Sequence, residues 1–325
     1  MKPALLKTPK TTGKKPKHDL LREFLNAMWL RPEAALFLAI SAHVLHTAPY
    51  RPSRKPSLDL GAGNGLFSFL AAGGSLTPDY DYYTHAGHLD KFWKHADIYD
   101  HFAGQGQSRF IARMPDDRFT YAYDHKENLK KQADLLNFYD AYGVGDANKR
   151  WPYPDGELQS VFSNIFYWLD NPRFLFPELA RVLAPRGKAF LALQDPSFPK
   201  FCPSYQTGKF PKYADVLKLL NRGRADSSLW RLSLKELEAL GKKNGLKLVY
   251  HRRYLTDMVL KIWDIGLRPF SPVLIRMANS LSAQDRLQCK KEWVDICVNL
   301  LRPIYESEKD VTNQGGYLYL IFEKQ

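Results

Sequence analysis

No apolar run in the chain is longer than residues 34–40, far short of the ~20 apolar residues that a membrane-crossing helix needs. No apolar stretch follows the charged N-terminus in the manner of a secretory signal. Cysteine is scarce: Cys202, Cys289 and Cys297 form no Cys-x-x-Cys pair, and three thiols cannot all pair with one another. These absences imply a reduced, cytoplasmic setting and exclude a disulfide scaffold. No repeat of 20–50 residues is visible, which excludes a solenoid or propeller. What is present is core material: 45% of the 325 residues are hydrophobic and 14% aromatic, too apolar for a disordered chain.

The net charge of +13 is unevenly spread. Residues 1–18 hold six lysines and no acid, and residues 201–325 hold 21 basic against 13 acidic side chains, while residues 19–200 are near neutral. A field of that sign attracts phosphates, anionic lipid or acidic substrates, or serves solubility alone. Residues 1–18 are rich in Lys, Thr and Pro and read as a disordered basic arm. Residues 19–55 read as N-terminal helices over 20–30 and 33–45, broken at Arg31-Pro32 because the residue before proline avoids the helical region.

From residue 56 strand and helix signals alternate. Strands are expected at 57–60, 119–123, 141–144, 159–163 and 188–193, with helices at 66–72, 128–138 and 177–183. A helix over 234–244 and strands at 246–250 and 317–322 follow. Such alternation points to a parallel, doubly wound α/β sheet. Two stretches interrupt it: an insertion over 74–118 rich in Tyr, His and Asp, and a helical cap over 253–311, in which Ser282 and Asp285 suggest a capping box. A core domain over 56–251 and a segment 252–325, carrying the cap and a final strand, complete the division.

The densest local signal is Asp59-Leu60-Gly61-Ala62-Gly63-Asn64-Gly65, after a strand and before a helix. Glycines there permit a sharp turn and let a ligand reach main-chain N–H groups. The dinucleotide pattern G-x-G-x-x-G would need glycine at position 66, which is Leu66, and no Walker lysine follows. Further on come the aromatic strand 119–123 leading to Asp124-His125, then Gly145-Asp146-Ala147, then the 151–172 segment with Ser163-Asn164 at a strand tip, then the helix, turn and strand of 178–193.

These motifs, in this order, resemble the class I S-adenosylmethionine-dependent methyltransferases over residues 56–195, and more loosely over 230–251 and 316–323. The resemblance implies a doubly wound, mostly parallel seven-stranded Rossmann-like sheet with helical insertions, and S-adenosyl-L-methionine as cofactor. It implies cofactor-binding roles for Asp59, Gly61, Gly63, Gly65, Asp124 (ribose), His125, Asp146 and Ala147 (adenine), and Asn164 (methionine). Asp124 lies 59 positions beyond Gly65 rather than the family's twenty or so; Asp79, Asp81 and Asp90 are rivals at shorter spacing.

Methyl transfer from a sulfonium needs orientation and desolvation more than an acid–base apparatus. His85, His95, His101, His125, Tyr83, Asp97 and Asp100 are candidate bases, and nothing selects one of them. No metal-ligand spacing occurs. The Ser-Asn-Ile-Phe of 163–166 lacks the prolines of the tetrad found in amino-methylating nucleic-acid enzymes. Residues 253–311 would begin at the rim of the cofactor crevice. They read as a pocket for an apolar or anionic small molecule, as a surface contacting anionic membrane, or as a plain helical cap. The expected acceptor is a small-molecule, lipid-like or glycan compound. An RNA or other nucleic-acid methyltransferase using the basic C-terminal part, a non-catalytic binding protein on the same fold and, more remotely, an NAD enzyme are the alternatives.

Overall fold

The structure is a computed structural model that describes residues 18–84, 107–221 and 224–325. The expected basic arm therefore lies outside the described residues except for His18, which is docked rather than free: its Nε2 lies 3.1 Å from the carbonyl of Leu70.

Two helices come first. Helix α1 (Leu20–Ala27) is capped by Asp19 and presents Leu20, Leu21, Phe24 and Leu25 to the core. Helix α2 (Pro32–Thr47) starts with proline in its first turn, where the missing N–H costs nothing. Strand β1 (Ser57–Leu60), helix α3 (Leu66–Ala71) and the short strand β2 (Ser75–Leu76) follow. β2 pairs antiparallel with β3 (Ile111–Arg113), so part of the 74–118 insertion is a small hairpin. Strand β4 (Phe119–Asp124), helix α4 (Glu127–Asp134), and strands β5 (Tyr139–Val144) and β6 (Leu158–Ser163) come next. Helix α5 (Pro172–Val182) and strand β7 (Leu183–Gln194) close the parallel part.

Beyond β7 lie the short helices α6 (Phe198–Phe201), α7 (Ala214–Asn221) and α8 (Arg224–Ser227), then α9 (Leu234–Lys243) and strand β8 (Leu246–Tyr254). The 253–311 insertion is helical, as expected: α10 (Asp257–Ile265), α11 (Ser271–Asn279) and the long α12 (Ala283–Lys309). Strand β9 (Tyr317–Lys324) ends the fold.

The seven-stranded sheet has the order β5-β4-β1-β6-β7-β9-β8. Strands β5, β4, β1, β6 and β7 run parallel, and β9 is antiparallel to both β7 and β8. The expected doubly wound, mostly parallel α/β sheet is therefore correct. The sheet reverses order at β1, with β4 on one side and β6 on the other, and such a switch point opens a crevice beyond the carboxyl ends. β8 runs in the same sense as β7, so the chain enters α10 on the crevice side.

Several boundaries differ from expectation: α1 ends at Ala27, β5 begins at Tyr139, β7 begins at Leu183 and β8 runs to Tyr254, and two helices shift for visible reasons. The helix expected at 128–138 stops at Asp134, because Asn137 takes a left-handed φ of +48° and turns the chain into β5. The helix expected from Pro177 starts at Pro172 instead. Asn171 caps it by accepting the N–H of Arg173 at 2.9 Å, and Pro177 is carried inside.

The late helix α12 holds the early insertion. Lys290, 2% exposed, donates to the carbonyls of Pro78 (3.0 Å) and Tyr80, and burial pulls its ammonium down to about 8. One turn away, Arg286 Nε donates to Asp81 Oδ2 at 2.8 Å. On the other side of the hairpin stem, Asn26 Nδ2 of α1 donates to the carbonyls of Leu76 and Thr77, both at 3.1 Å. None of the described helices is long and apolar enough to cross a membrane.

Candidate functional site

Strand register determines what faces the glycine turn. Leu60 pairs with Tyr123 of β4, and Asp59 pairs with Phe162 of β6. One step beyond Leu60, Gly61 is therefore level with Asp124 on one side, and Asn164 reaches that level on the other. The turn is held to β4 by the N–H of Gly61 donating to the Tyr123 carbonyl at 2.8 Å, and it closes on itself from Gly65 N–H to the Ala62 carbonyl at 2.9 Å. Gly61, Gly63 and Gly65 have φ of +77°, +57° and +75°, a region that side chains with a Cβ avoid. They differ in surroundings. A Cβ on Gly61 would fall 1.9 Å from Ile165 Cγ1, and one on Gly65 would fall 2.8 Å from the Tyr139 ring. A Cβ on Gly63 would point into open space.

Asp124 faces this turn. Its Oδ2 accepts the N–H of Gly63 at 3.0 Å and its Oδ1 accepts the N–H of Lys126 at 3.2 Å, with the residue 9% exposed. His125 stands beside it, Nδ1 3.2 Å from Asp124 Oδ1, its side chain largely exposed. Asp146 and Ala147 form the turn after β5: Asp146 Oδ1 accepts the N–H of Asn148 at 2.9 Å, and the Ala147 carbonyl accepts the indole N–H of buried Trp151 at 3.0 Å. Asn164 is half-buried at the tip of β6.

Asp59 lies elsewhere. It is fully buried behind the turn, where its Oδ2 accepts the Tyr139 hydroxyl at 2.6 Å and Ser68 also bonds to it. Desolvation pushes its carboxyl up to about 6, against those hydrogen bonds. It supports the loop from below instead of lining the crevice.

Of the rival acids, Asp81 is engaged by Arg286 and by the N–H of Tyr83, and Asp79 is exposed on the same stem. Asp90 lies outside the described residues, as do His85, His95, His101, Asp97 and Asp100. Tyr83 is buried at 2% exposure. No group of three potential metal ligands occurs among the described residues.

Two residues that the motif reading missed complete the turn. Tyr142 of β5 donates its hydroxyl to the Gly63 carbonyl at 2.6 Å, and Tyr139 packs under Gly65 while it holds Asp59. Burial beside carboxylates raises both phenols, so they remain neutral donors. Only the tyrosines at 139 and 142, three apart on one strand, hinted at them, and the reach to β1 depends on three-strand register.

Residues 103–191 match the family model of the methyltransferase domain. That stretch carries a methyltransferase domain. Solved structures similar in fold include a methyltransferase of Thermotoga maritima (10% identity, 94% of this chain and all of that one covered, TM-score 0.43). Another is from Mesorhizobium loti (11%, 82% and 90%, TM-score 0.40). A third, from Galdieria sulphuraria, is described as a candidate sarcosine dimethylglycine methyltransferase (13%, 90% and 85%, TM-score 0.41). No curated protein matches the sequence.

The crevice fits, in its chemistry, the methyl donor that such a domain uses. Asp124 is an anionic acceptor with lone pairs beyond those given to the two backbone N–H groups, which suits the adjacent hydroxyls of a ribose. The open space beside Gly63 leaves bare main chain for the adenosyl part. When bound, S-adenosylmethionine supplies a methyl group already activated on a sulfonium; the protein's task is orientation and exclusion of water.

Asp124→Ala is expected to weaken S-adenosylhomocysteine binding by more than tenfold, read by calorimetry, since charge-assisted hydrogen bonds are lost. Unchanged affinity would remove Asp124 from the site. Asp59 gives a pH signature. Its folded pKa of about 6 lies above the ordinary 3.8, so the native state binds the proton more tightly than the unfolded chain. Its stabilising contribution is full below pH ~4 and is lost as pH rises through about 6, a change on the order of 3 kcal/mol. Asp59→Asn should flatten that part of the urea-midpoint profile; parallel wild-type and variant profiles would refute the assignment.

Proposed function

We propose that this methyltransferase acts on a small-molecule acceptor held beyond the carboxyl ends of β6 and β7. The observation that carries the reading is a nest of aromatic rings drawn from separate segments at that edge. Phe198 contacts Tyr205, Tyr317 and Trp263 with centroids 5.3, 5.4 and 6.0 Å apart, and Tyr167 lies 5.9 Å from Tyr317. The Tyr167 and Tyr317 hydroxyls meet at 3.0 Å. Hydrophobic and aromatic side chains with a few polar groups are the usual surroundings of a small-molecule site, and they favour desolvated methyl transfer.

Against a nucleic-acid acceptor, at least six of the 21 basic side chains of residues 201–325 meet carboxylates. Arg224 meets Asp264, Arg253 meets Asp195, Lys261 meets Asp257, Arg286 meets Asp81, Arg302 meets Asp19 and Lys309 meets Glu306. A second reading, a lipid-like acceptor drawn from anionic membrane, is favoured by the exposed apolar side chains Met258, Ile265, Phe270, Val273 and Met277 on α10 and α11 and the chain between them. Exposed Lys261 and Arg276 are interspersed with them.

S-adenosylhomocysteine should raise the melting temperature while NADH does not, and label from methyl-labelled S-adenosylmethionine should enter the small-molecule fraction of a cell extract. Label recovered in RNA, with transfer falling steeply as salt rises, would favour the nucleic-acid reading, and binding without any transfer would favour a non-catalytic protein. For the membrane reading, sedimentation with phosphatidylserine vesicles should drop about tenfold in a Phe270→Glu, Met277→Glu double variant, on the order of 1.4 kcal/mol. Equal sedimentation would dismiss that surface.

A further inference from the structure

The acceptor nest contains one cation that the fold leaves unmatched. Arg231 precedes α9 and reaches the end of β7, where its Nε donates to Gln194 Oε1 at 2.8 Å. The same oxygen accepts the Ser228 hydroxyl at 2.7 Å. The guanidinium carbon lies 5.7 Å from the centre of the Tyr205 ring and 5.9 Å from that of Phe198. Neighbouring arginines have carboxylates: Arg224 has Asp264, Arg253 has Asp195, and Arg31 has Glu33. Among the described residues no carboxylate lies within ion-pair distance of Arg231. Its Nη2 is shielded from solvent and donates to nothing, and the Tyr205 hydroxyl is equally shielded and unpartnered.

An unmade hydrogen bond from a buried charged donor is among the costlier defects a fold can carry, and such exceptions in a native structure call for a cause. Here two unfilled groups, a guanidinium edge and a phenol, belong to one ring-lined corner beside Gln194. The corner lies on the side of the sheet where the methyl donor's crevice opens. The unmatched charge is a single unit, which balances a monoanion better than a phosphate dianion, and a guanidinium edge presents planar donors suited to a carboxylate.

We infer that Arg231 and Tyr205 form a carboxylate-binding subsite, and that the acceptor is a small carboxylic acid whose apolar body rests among Phe198, Tyr205 and Tyr317. This rests on the small-acceptor reading above and narrows it to one class of compound. Gln194 is then a positioning residue, because its Oε1 fixes the guanidinium from behind.

The full chain saturated with S-adenosylhomocysteine would be titrated calorimetrically with benzoate and, as an uncharged analogue of like shape, with benzamide. Benzoate is expected to bind at least tenfold more tightly than benzamide. Arg231→Gln should lose that preference and keep its S-adenosylhomocysteine affinity; Arg231→Lys should recover part of it, and Tyr205→Phe should weaken benzoate several-fold. Equal binding of the two probes by the wild type, or no benzoate binding at all, would overturn the subsite without needing any variant to fold. A preference for benzoate that survives Arg231→Gln would overturn it as well. Failure of S-adenosylhomocysteine to bind the wild type would instead strike the methyltransferase reading, and the benzoate comparison can still be made on the protein alone.

Discussion

The peptide of Gly63 is held at both ends. Its N–H goes to the Asp124 carboxylate at the tip of β4, and its carbonyl takes the Tyr142 hydroxyl from β5. A turn with three glycines in five residues has more conformations to lose than one without them, and these two bonds select one. The clamp requires β1, β4 and β5 to lie side by side in fixed register, so the shape of the crevice is a property of the sheet rather than of the loop. Beneath it, Asp59, Ser68 and Tyr139 form a buried polar support whose cost is offset by mutual hydrogen bonds, in keeping with the rule that buried polar groups are paired.

The parts of the site that are local in sequence could be read from it. The glycine turn, Asp124-His125, the Gly145-Asp146-Ala147 turn and Ser163-Asn164 each occupy a strand tip, and the order of the tips follows from alternating strand and helix signals. The position of Asp124 beside the glycine turn is legible in spite of its distance from the glycines, because an aromatic strand leads into it and the intervening pair of β2 and β3 accounts for part of the extra length. Contacts between strands that are neighbours only in space were not legible. Nothing adjacent to Tyr142 announces Gly63, and nothing adjacent to Asp59 distinguishes a residue under the loop from one lining it. The same holds for α5, where Pro177 looked like a helix start until Asn171 and Pro172 were seen to fill those positions.

Charge taught a similar lesson. The excess of cations in the C-terminal part of the sequence suggests a basic surface, yet six of those 21 cations are held in the pairs named above, three of them with Asp19, Asp81 and Asp195, acids far away in sequence. A charge balance counts groups and ignores their partners, so it overstates the field that an approaching anion meets. What remains after pairing includes Arg231 in its aromatic corner and exposed lysines on several elements, Lys242 and Lys243 of α9, Lys247 of β8 and Lys291 of α12 among them.

The position of β9 has a consequence for how the chain matures. β9 lies between β7 and β8 and supplies the pairing for both, so β8 gains its ladder only once residues 317–324 arrive. During synthesis the ribosome releases the glycine turn and Asp124 long before that wedge exists. The half that carries the glycine turn can therefore assemble on the nascent chain, while the aromatic corner, with Tyr317 at the root of the wedge, closes only when β9 arrives.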